Sequence, residues 1–199
     1  MHSAHFMVTL VLAYLIGSLN GAIIICKIMQ LPSPRSVGSG NPGATNVIRL
    51  GNKTAAILTL LFDVFKGIVA VLIALWFHLP ALYIGLAGFV VVFGHMYPLF
   101  FGFKGGKGVA TSLGVICTIN LMLGACVILS FMIMLALFRY VSLASIISAL
   151  LCPVIGYFLV SHAYTPSLIL IALFITFRHH ENIKRLFNGN ENKLGQKKQ

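Results

Sequence analysis

The chain has 199 residues, of which 59% are hydrophobic and 9% charged, with a mean hydropathy of +0.99. A soluble domain carries about 25% charged residues, so composition excludes a water-soluble globule and specifies an integral membrane protein, read as one domain over 1–199. Fourteen Lys and Arg against three Asp and Glu give a net charge of +11, which suits nucleic acid, an anionic membrane face or an anionic substrate, part of the excess being ordinary membrane topology.

The first apolar segment covers about 6 to 29, FMVTLVLAYLIGSLNGAIIICKIM, and Asn20 and Gly21 interrupt its second half. Without a basic leader or a small-x-small cleavage site it reads as a retained helix rather than a removed signal peptide. A second helix is predicted over 54–77, and His78, Leu79 and Pro80 turn it into a third over 81–98. As a single helix, 109–138 would measure about 45 Å against a hydrocarbon core of about 30 Å. That length predicts two shorter helices divided near Asn120, with one tilted helix as the alternative. Helices over 142–160 and from 164 to 177 follow, then a short tail from about 178.

The expected fold is therefore an all-α polytopic membrane protein with seven transmembrane helices. Seven spans put the loops 30–53, 99–108 and 139–141 and the tail on one side, with Arg35, Arg49, Lys53, Lys104, Lys107, Arg139, Arg178, Lys184, Arg185, Lys193, Lys197 and Lys198. No Lys or Arg falls on the other side. By the positive-inside rule the N-terminus is then outside and the C-terminus cytoplasmic.

Two nucleotide motifs fail on context. Gly38, Gly40 and Gly43 match G-x-G-x-x-G, and Asp63 follows at about the right distance, but no strand precedes them. FKGGKGV lacks the glycine spacing and the Ser or Thr of a phosphate loop. Cys26, Cys117, Cys126 and Cys152 are far apart in apolar surroundings and read as packing residues.

Three polar segments remain. PSPRSVGSGNPGATNVIR joins conformationally free glycines to the short polar side chains of Ser39, Asn41, Thr45 and Asn46, with the donor fork of Arg49 beside them, which points to an anion-binding nest. FFGFKGGKGVAT carries Lys104 and Lys107 around Gly105 and Gly106, and is expected to bring ammonium groups and free amides together at the start of a helix. In RHHENIKRLFNGNE, His179 and Asn182 are three apart and share a helix face, with Arg185 further along. His179, His180 and Glu181 make only a weak metal site, so neither metal nor cofactor is expected. Within the second helix Asp63 and Lys66 neutralise each other or face the interior, with a proton relay as the alternative. His95 reads equally as part of the site or as a buried hydrogen-bonding residue.

These three segments, with GSLNGA, LFDVFKG, GHMYPLFFGF and RYVSLASI, resemble the bacterial acyl-phosphate:glycerol-3-phosphate acyltransferase family, collinearly over nearly the whole chain. The resemblance implies seven membrane helices in the bacterial cytoplasmic (inner) membrane, with the active site facing the cytoplasm. It implies transfer of a fatty acyl group from acyl phosphate to the 1-hydroxyl of glycerol 3-phosphate, giving lysophosphatidic acid and phosphate. The implied partners are glycerol 3-phosphate, long-chain acyl phosphate and membrane lipids, with a soluble acyl-phosphate-producing enzyme as a candidate and no nucleic acid. Lys107 would be the central phosphate-binding lysine, His179 and Asn182 the principal side chains of the third motif, and Glu191 its support. Asn20 departs from the family, standing where many members have proline, which bears on the bend of the first helix.

Residue chemistry and resemblance together give Ser39, Thr45, Lys107, His179 and Asn182 as candidate catalytic residues. Gly38, Gly40, Asn41, Gly43, Asn46, Arg49, Lys104, Gly105, Gly106, Arg185 and Glu191 are the candidate substrate-binding set. With no G-x-S-x-G elbow, direct transfer is expected over an acyl-enzyme. The base is either the substrate's own phosphate, as the resemblance implies, or His179. A transporter or channel for a phosphate-bearing solute, or an acyltransferase using acyl-CoA, are the alternatives. Against the latter, no His has Asp five positions on.

Overall fold

The computed structural model describes residues 2–195; Lys197 and Lys198 of the basic tail lie outside the described residues. The described chain is helical, and its α-helices in order are α1 His2–Gly17, α2 Gly21–Ile28, α3 Ala44–Ile48, α4 Lys53–Trp76 and α5 Ala81–Met96. They continue as α6 Val109–Ile119, α7 Leu121–Phe138, α8 Val141–Leu159, α9 Thr165–Arg178 and α10 His180–Phe187. The short 3-10 turns Leu99–Phe101 and His162–Tyr164 follow α5 and precede α9.

The sequence placed these helices well but counted the spans wrongly. Among the described residues only α4, α5 with the turn after it, α7 and α8 are long and apolar enough to cross a membrane, and α1 and α2 add a fifth span only if the pair, bent by 46°, is one. Four to five spans therefore replace seven. The reason is length: at 1.5 Å per residue α6, with 11 residues, is about 16 Å long and α9, with 14 residues, about 21 Å, both well short of about 30 Å. The parity that set the N-terminus outside and the C-terminus inside falls with the count.

Breaks follow local chemistry. Asn20 ends the first segment by accepting the Ile23 N–H at 3.0 Å as the cap of α2, and Asn52 and Asn120 cap α4 and α7 in the same way, at 2.9 Å and 2.8 Å. Asn120 divides 109–138 into two helices, as its position in the apolar run suggested.

Small residues set the packing. α4 lies against α6, α1 against α5, and α7 and α9 against α8. A Cβ at Gly67 would strike the Thr111 carbonyl and one at Gly114 the Val64 carbonyl, so α4 and α6 touch almost backbone to backbone. The core between α4, α5 and α6 is built from Val71, Ala74, Ala87, Val91, Met96 and Val115. Large apolar side chains such as Leu61, Phe65 and Trp76 face outward instead, as a lipid-facing surface requires.

Gly114→Val should force α6 off α4 and cost more than about 2 kcal/mol. Thermal unfolding in detergent measures it, with the exposed Leu61→Ala expected to stay within about 0.5 kcal/mol of the parent. An unshifted midpoint for Gly114→Val would refute the close contact.

Candidate active site

The loops 30–53 and 99–108, the start of α8 and the segment after α9 converge on one another. Arg35 donates to the Phe101 carbonyl at 2.8 Å and to that of Lys104, which ties the first loop to the second. Arg178 donates to the carbonyls of Gly106 at 3.2 Å and Gly105 at 3.0 Å and lies over the Tyr97 ring, which ties the second loop to the end of α9. Leu194 N–H donates to the Arg139 carbonyl at 2.7 Å, and Arg139 returns a bond to the Leu194 carbonyl, so the tail folds back over α8.

The first loop is organised by Asn46, which is 2% exposed. Its amide donates to the carbonyls of Pro34 at 2.6 Å and Val37 at 2.9 Å and accepts from Ser39 N–H at 3.0 Å and the Ser39 hydroxyl at 3.3 Å. Asn46 therefore holds the loop shut, with its amide fully engaged. Gly38 adopts a φ of +62°, and a Cβ there would run into the Asn46 amide and lie 3.0 Å from Arg49 Cδ. Gly40, Asn41, Gly43 and Thr45 complete this turn around α3, and Ser39, Thr45 and Arg49 stay exposed.

The second loop departs from expectation. The Gly105 and Gly106 amides are not free, because they donate to the carbonyls of Met96 and His95, each at 3.1 Å. Both amides are used within the fold, and Lys104 is exposed, with its carbonyl as a bonded group. Lys107 alone carries charge from this loop into the cluster.

At the centre, Lys107 Nζ donates to Asn182 Oδ1 at 2.5 Å, and Asn182 Nδ2 donates to Glu191 Oε1 at 2.6 Å. Glu191 also accepts from the Ser142 hydroxyl at 2.7 Å and from Arg185 Nε at 2.7 Å. Burial raises the Glu191 carboxyl, but these three donors more than offset it and hold it below the usual carboxylate range. Burial is also the main force on Lys107, pulling its ammonium down to about 8 while Glu191 pulls the other way and Arg185, Arg178 and Arg49 add to the burial. Lys107 thus shares its surroundings with three arginines and a single carboxylate, a surplus of positive charge suited to a phosphate.

His179, 3% exposed, ends α9 with Nδ1 2.8 Å from the Ile175 carbonyl. A carbonyl only accepts, so the ring proton sits on Nδ1 and Nε2 keeps a lone pair. Burial, then the charge of Lys107, hold this imidazole down at about 4, and it is neutral at neutral pH. His180 is half-exposed beside Glu181 at 3.1 Å, outside the cluster. Among the described residues no group of three or more His, Cys, Asp or Glu side chains could hold a metal ion.

Of the sequence candidates, Arg49, Lys107, His179, Asn182, Arg185 and Glu191 come together. Ser142 and Arg178 also belong but were missed. Ser142 sits in RYVSLASI, and Arg178 opens RHHENIK, where it passed for a topology charge.

Residues 7–189 match the family model for glycerol-3-phosphate acyltransferase. A glycerol-3-phosphate acyltransferase of Vibrio cholerae is 46% identical over 188 residues, covering 94% of this chain and 90% of that one. One from Pseudoalteromonas translucida is 48% identical over 188 residues, covering 94% and 92%. The crystal structure of PlsY (YgiH), an integral membrane glycerol 3-phosphate acyltransferase in its glycerol 3-phosphate form, superposes with a TM-score of 0.90 at 38% identity, covering 96% of both chains. Its lysophosphatidic acid form gives 0.88 at 36%, covering 96% of this chain and 95% of that one. This chain belongs to the bacterial PlsY-type family of membrane glycerol-3-phosphate acyltransferases.

Proposed function

We propose that this chain, a multi-pass protein of the inner membrane, transfers a fatty acyl group from acyl phosphate to the 1-hydroxyl of glycerol 3-phosphate at its cytoplasmic face. The observation that carries this reading is the Lys107–Asn182–Glu191 chain, with Arg49, Arg178 and Arg185 around it and a neutral His179 beside it. Two phosphates lie close together during such a transfer, and only a surplus of fixed cations offsets their repulsion. The gathering of Arg35, Arg49, Lys104, Lys107 and Arg178 in the joined loops favours a cytoplasmic site.

The 1-hydroxyl oxygen attacks the acyl carbon, a C–O bond forms, the bond to the phosphate oxygen breaks, and inorganic phosphate leaves. Acyl phosphate is already activated, so alignment and charge stabilisation supply the rate without an acyl-enzyme. A neutral Nε2 on His179 suits a hydrogen bond from the attacking hydroxyl. As a base, an imidazole held at about 4 is weaker than a phosphate monoester, whose second pKa is about 6. We assign the proton to a substrate phosphate and hydroxyl positioning to His179.

Purified protein should form lysophosphatidic acid from glycerol 3-phosphate with palmitoyl phosphate and not with palmitoyl-CoA. In sealed vesicles, only those with the inner face outward should use added substrate. Quenched protein should show no acyl adduct by mass spectrometry. Turnover with the CoA donor, or an adduct formed fast enough to support turnover, would overturn the donor or the direct route respectively.

Lys107→Ala should lower kcat/KM for glycerol 3-phosphate by roughly thirtyfold or more, about 2 kcal/mol. Because the folded-state pKa lies below the lysine value of 10.5, the charge is present below about 8 and is lost as pH rises through that point. Wild-type kcat/KM should therefore fall above pH 8, whereas Lys107→Arg, even if slower, should lose that inflection.

His179→Ala should slow turnover yet keep the wild-type shape of the profile between about pH 5.5 and 7.5, since the imidazole has no titration there. Recovery of rate only as hydroxide rises would instead make the histidine the base.

A further inference from the structure

Asp63, Lys66 and His95 lie outside the joined loops, buried between α4, α5 and the break after α1 at 2%, 3% and 4% exposure. Lys66 Nζ is 2.9 Å from Asp63 Oδ1 and 2.8 Å from His95 Nδ1, and donates to the carbonyls of Gly17 at 3.1 Å and Leu19 at 2.8 Å. Nδ1 of His95 thus faces the Lys66 ammonium and, at 3.4 Å, Asp63 Oδ1, while Nε2 lies at the opposite edge of the ring. That edge of the ring meets Gly106. A Cβ at Gly106 would collide with Nε2 and lie 2.8 Å from Cε1. The main chain repeats the contact, since the His95 carbonyl takes the Gly106 N–H at 3.1 Å.

His95 therefore grips Gly106 by ring and by backbone, one peptide unit before Lys107. The tip of Lys107 is held by Asn182, but its flexible four-carbon stem is aimed only as well as its root is fixed. We propose that His95, oriented by Lys66 and Asp63, is the positioning residue for Lys107, anchoring the phosphate-binding lysine to the membrane-buried helices. This rests on the reading of Lys107 as a phosphate ligand. His95 acts through Gly106, and the buried charges set its ring plane.

A double-mutant cycle between His95→Asn and Lys107→Ala tests it. Asparagine keeps an acceptor near the place of Nδ1 for Lys66 and removes the ring edge that meets Gly106. In detergent-purified, monodisperse protein, His95→Asn should lower kcat/KM for glycerol 3-phosphate by tenfold to roughly a hundredfold, the scale of a misplaced catalytic group. In the Lys107→Ala background the same substitution should change it by less than about twofold. Where turnover is too slow to follow, the dissociation constant of glycerol 3-phosphate is read instead. Gly106→Ala, which pushes a methyl group at the ring while keeping all three buried side chains, should behave in the same way and serves if His95→Asn does not fold. A harmless His95→Asn or Gly106→Ala, or losses that multiply in the double mutants, would overturn the positioning role. Wild-type activity in Lys107→Ala would instead overturn the phosphate reading on which it rests.

Discussion

An ammonium group within a helix bundle has no water to satisfy it, so Lys66 must find its acceptors inside the protein. It finds two in the carbonyls of Gly17 and Leu19, which a continuous helix would have used for its own bonds. The break at 18–20 exposes them, because the last carbonyls of a helix have no partner of their own. Asn20 starts α2 by capping it, so the chain resumes its helix at once. Bend, charge pair and packing of α1, α4 and α5 therefore depend on one another. Removing one member of such a buried pair costs about 3 to 5 kcal/mol, because the other charge stays behind.

The site works on a different electrostatic plan. Lys107 does not meet Glu191 directly, since the Asn182 amide stands between them, its oxygen toward the ammonium and its nitrogen toward the carboxylate. A carboxylate in direct contact would neutralise the lysine and compete with an incoming phosphate. The neutral amide orients the ammonium through one of its three hydrogens and leaves the others for a ligand. Glu191 directs its negative charge to Ser142, Arg185 and Asn182, which fixes the third segment without a direct contact to Lys107.

Much of this was legible in the sequence, and the misses have physical causes. Apolar length placed the main helices, including the division near Asn120, and the structure adds that the asparagine there caps α7. Span count failed because hydrophobicity marks a helix as buried in lipid or protein alike, and α6 and α9 are apolar yet too short to cross. Lys107, His179 and Asn182 could be picked out because their chemistry is unusual beside a membrane, whereas Glu191 was reached through the family resemblance alone. Gly105 and Gly106 looked like phosphate-facing amides, yet the end of α5 takes both N–H groups, a tertiary pairing that no local pattern encodes. Ser142 gave no chemical signal of its own, being a serine in an apolar helix whose partner lies forty-nine positions away.

The remaining constraint comes from the donor itself. Acyl phosphate joins a charged head that belongs in water to a chain that belongs in lipid, so its head must be captured without pulling the chain out of the apolar phase. Phe100 and Phe103, 55% exposed each, flank the approach to Lys107 in sequence, and Phe177, 62% exposed, stands two residues before His179. Exposed aromatic rings beside charged groups are the composition that settles at a membrane–water boundary. Lys107 and the arginines around it are thus attached to segments whose neighbours favour that boundary, while α10 carries Lys184 and Arg185 on one side and the exposed Phe187 beyond them. On the proposed reading of the site, each phase then delivers one substrate to the same group of cations.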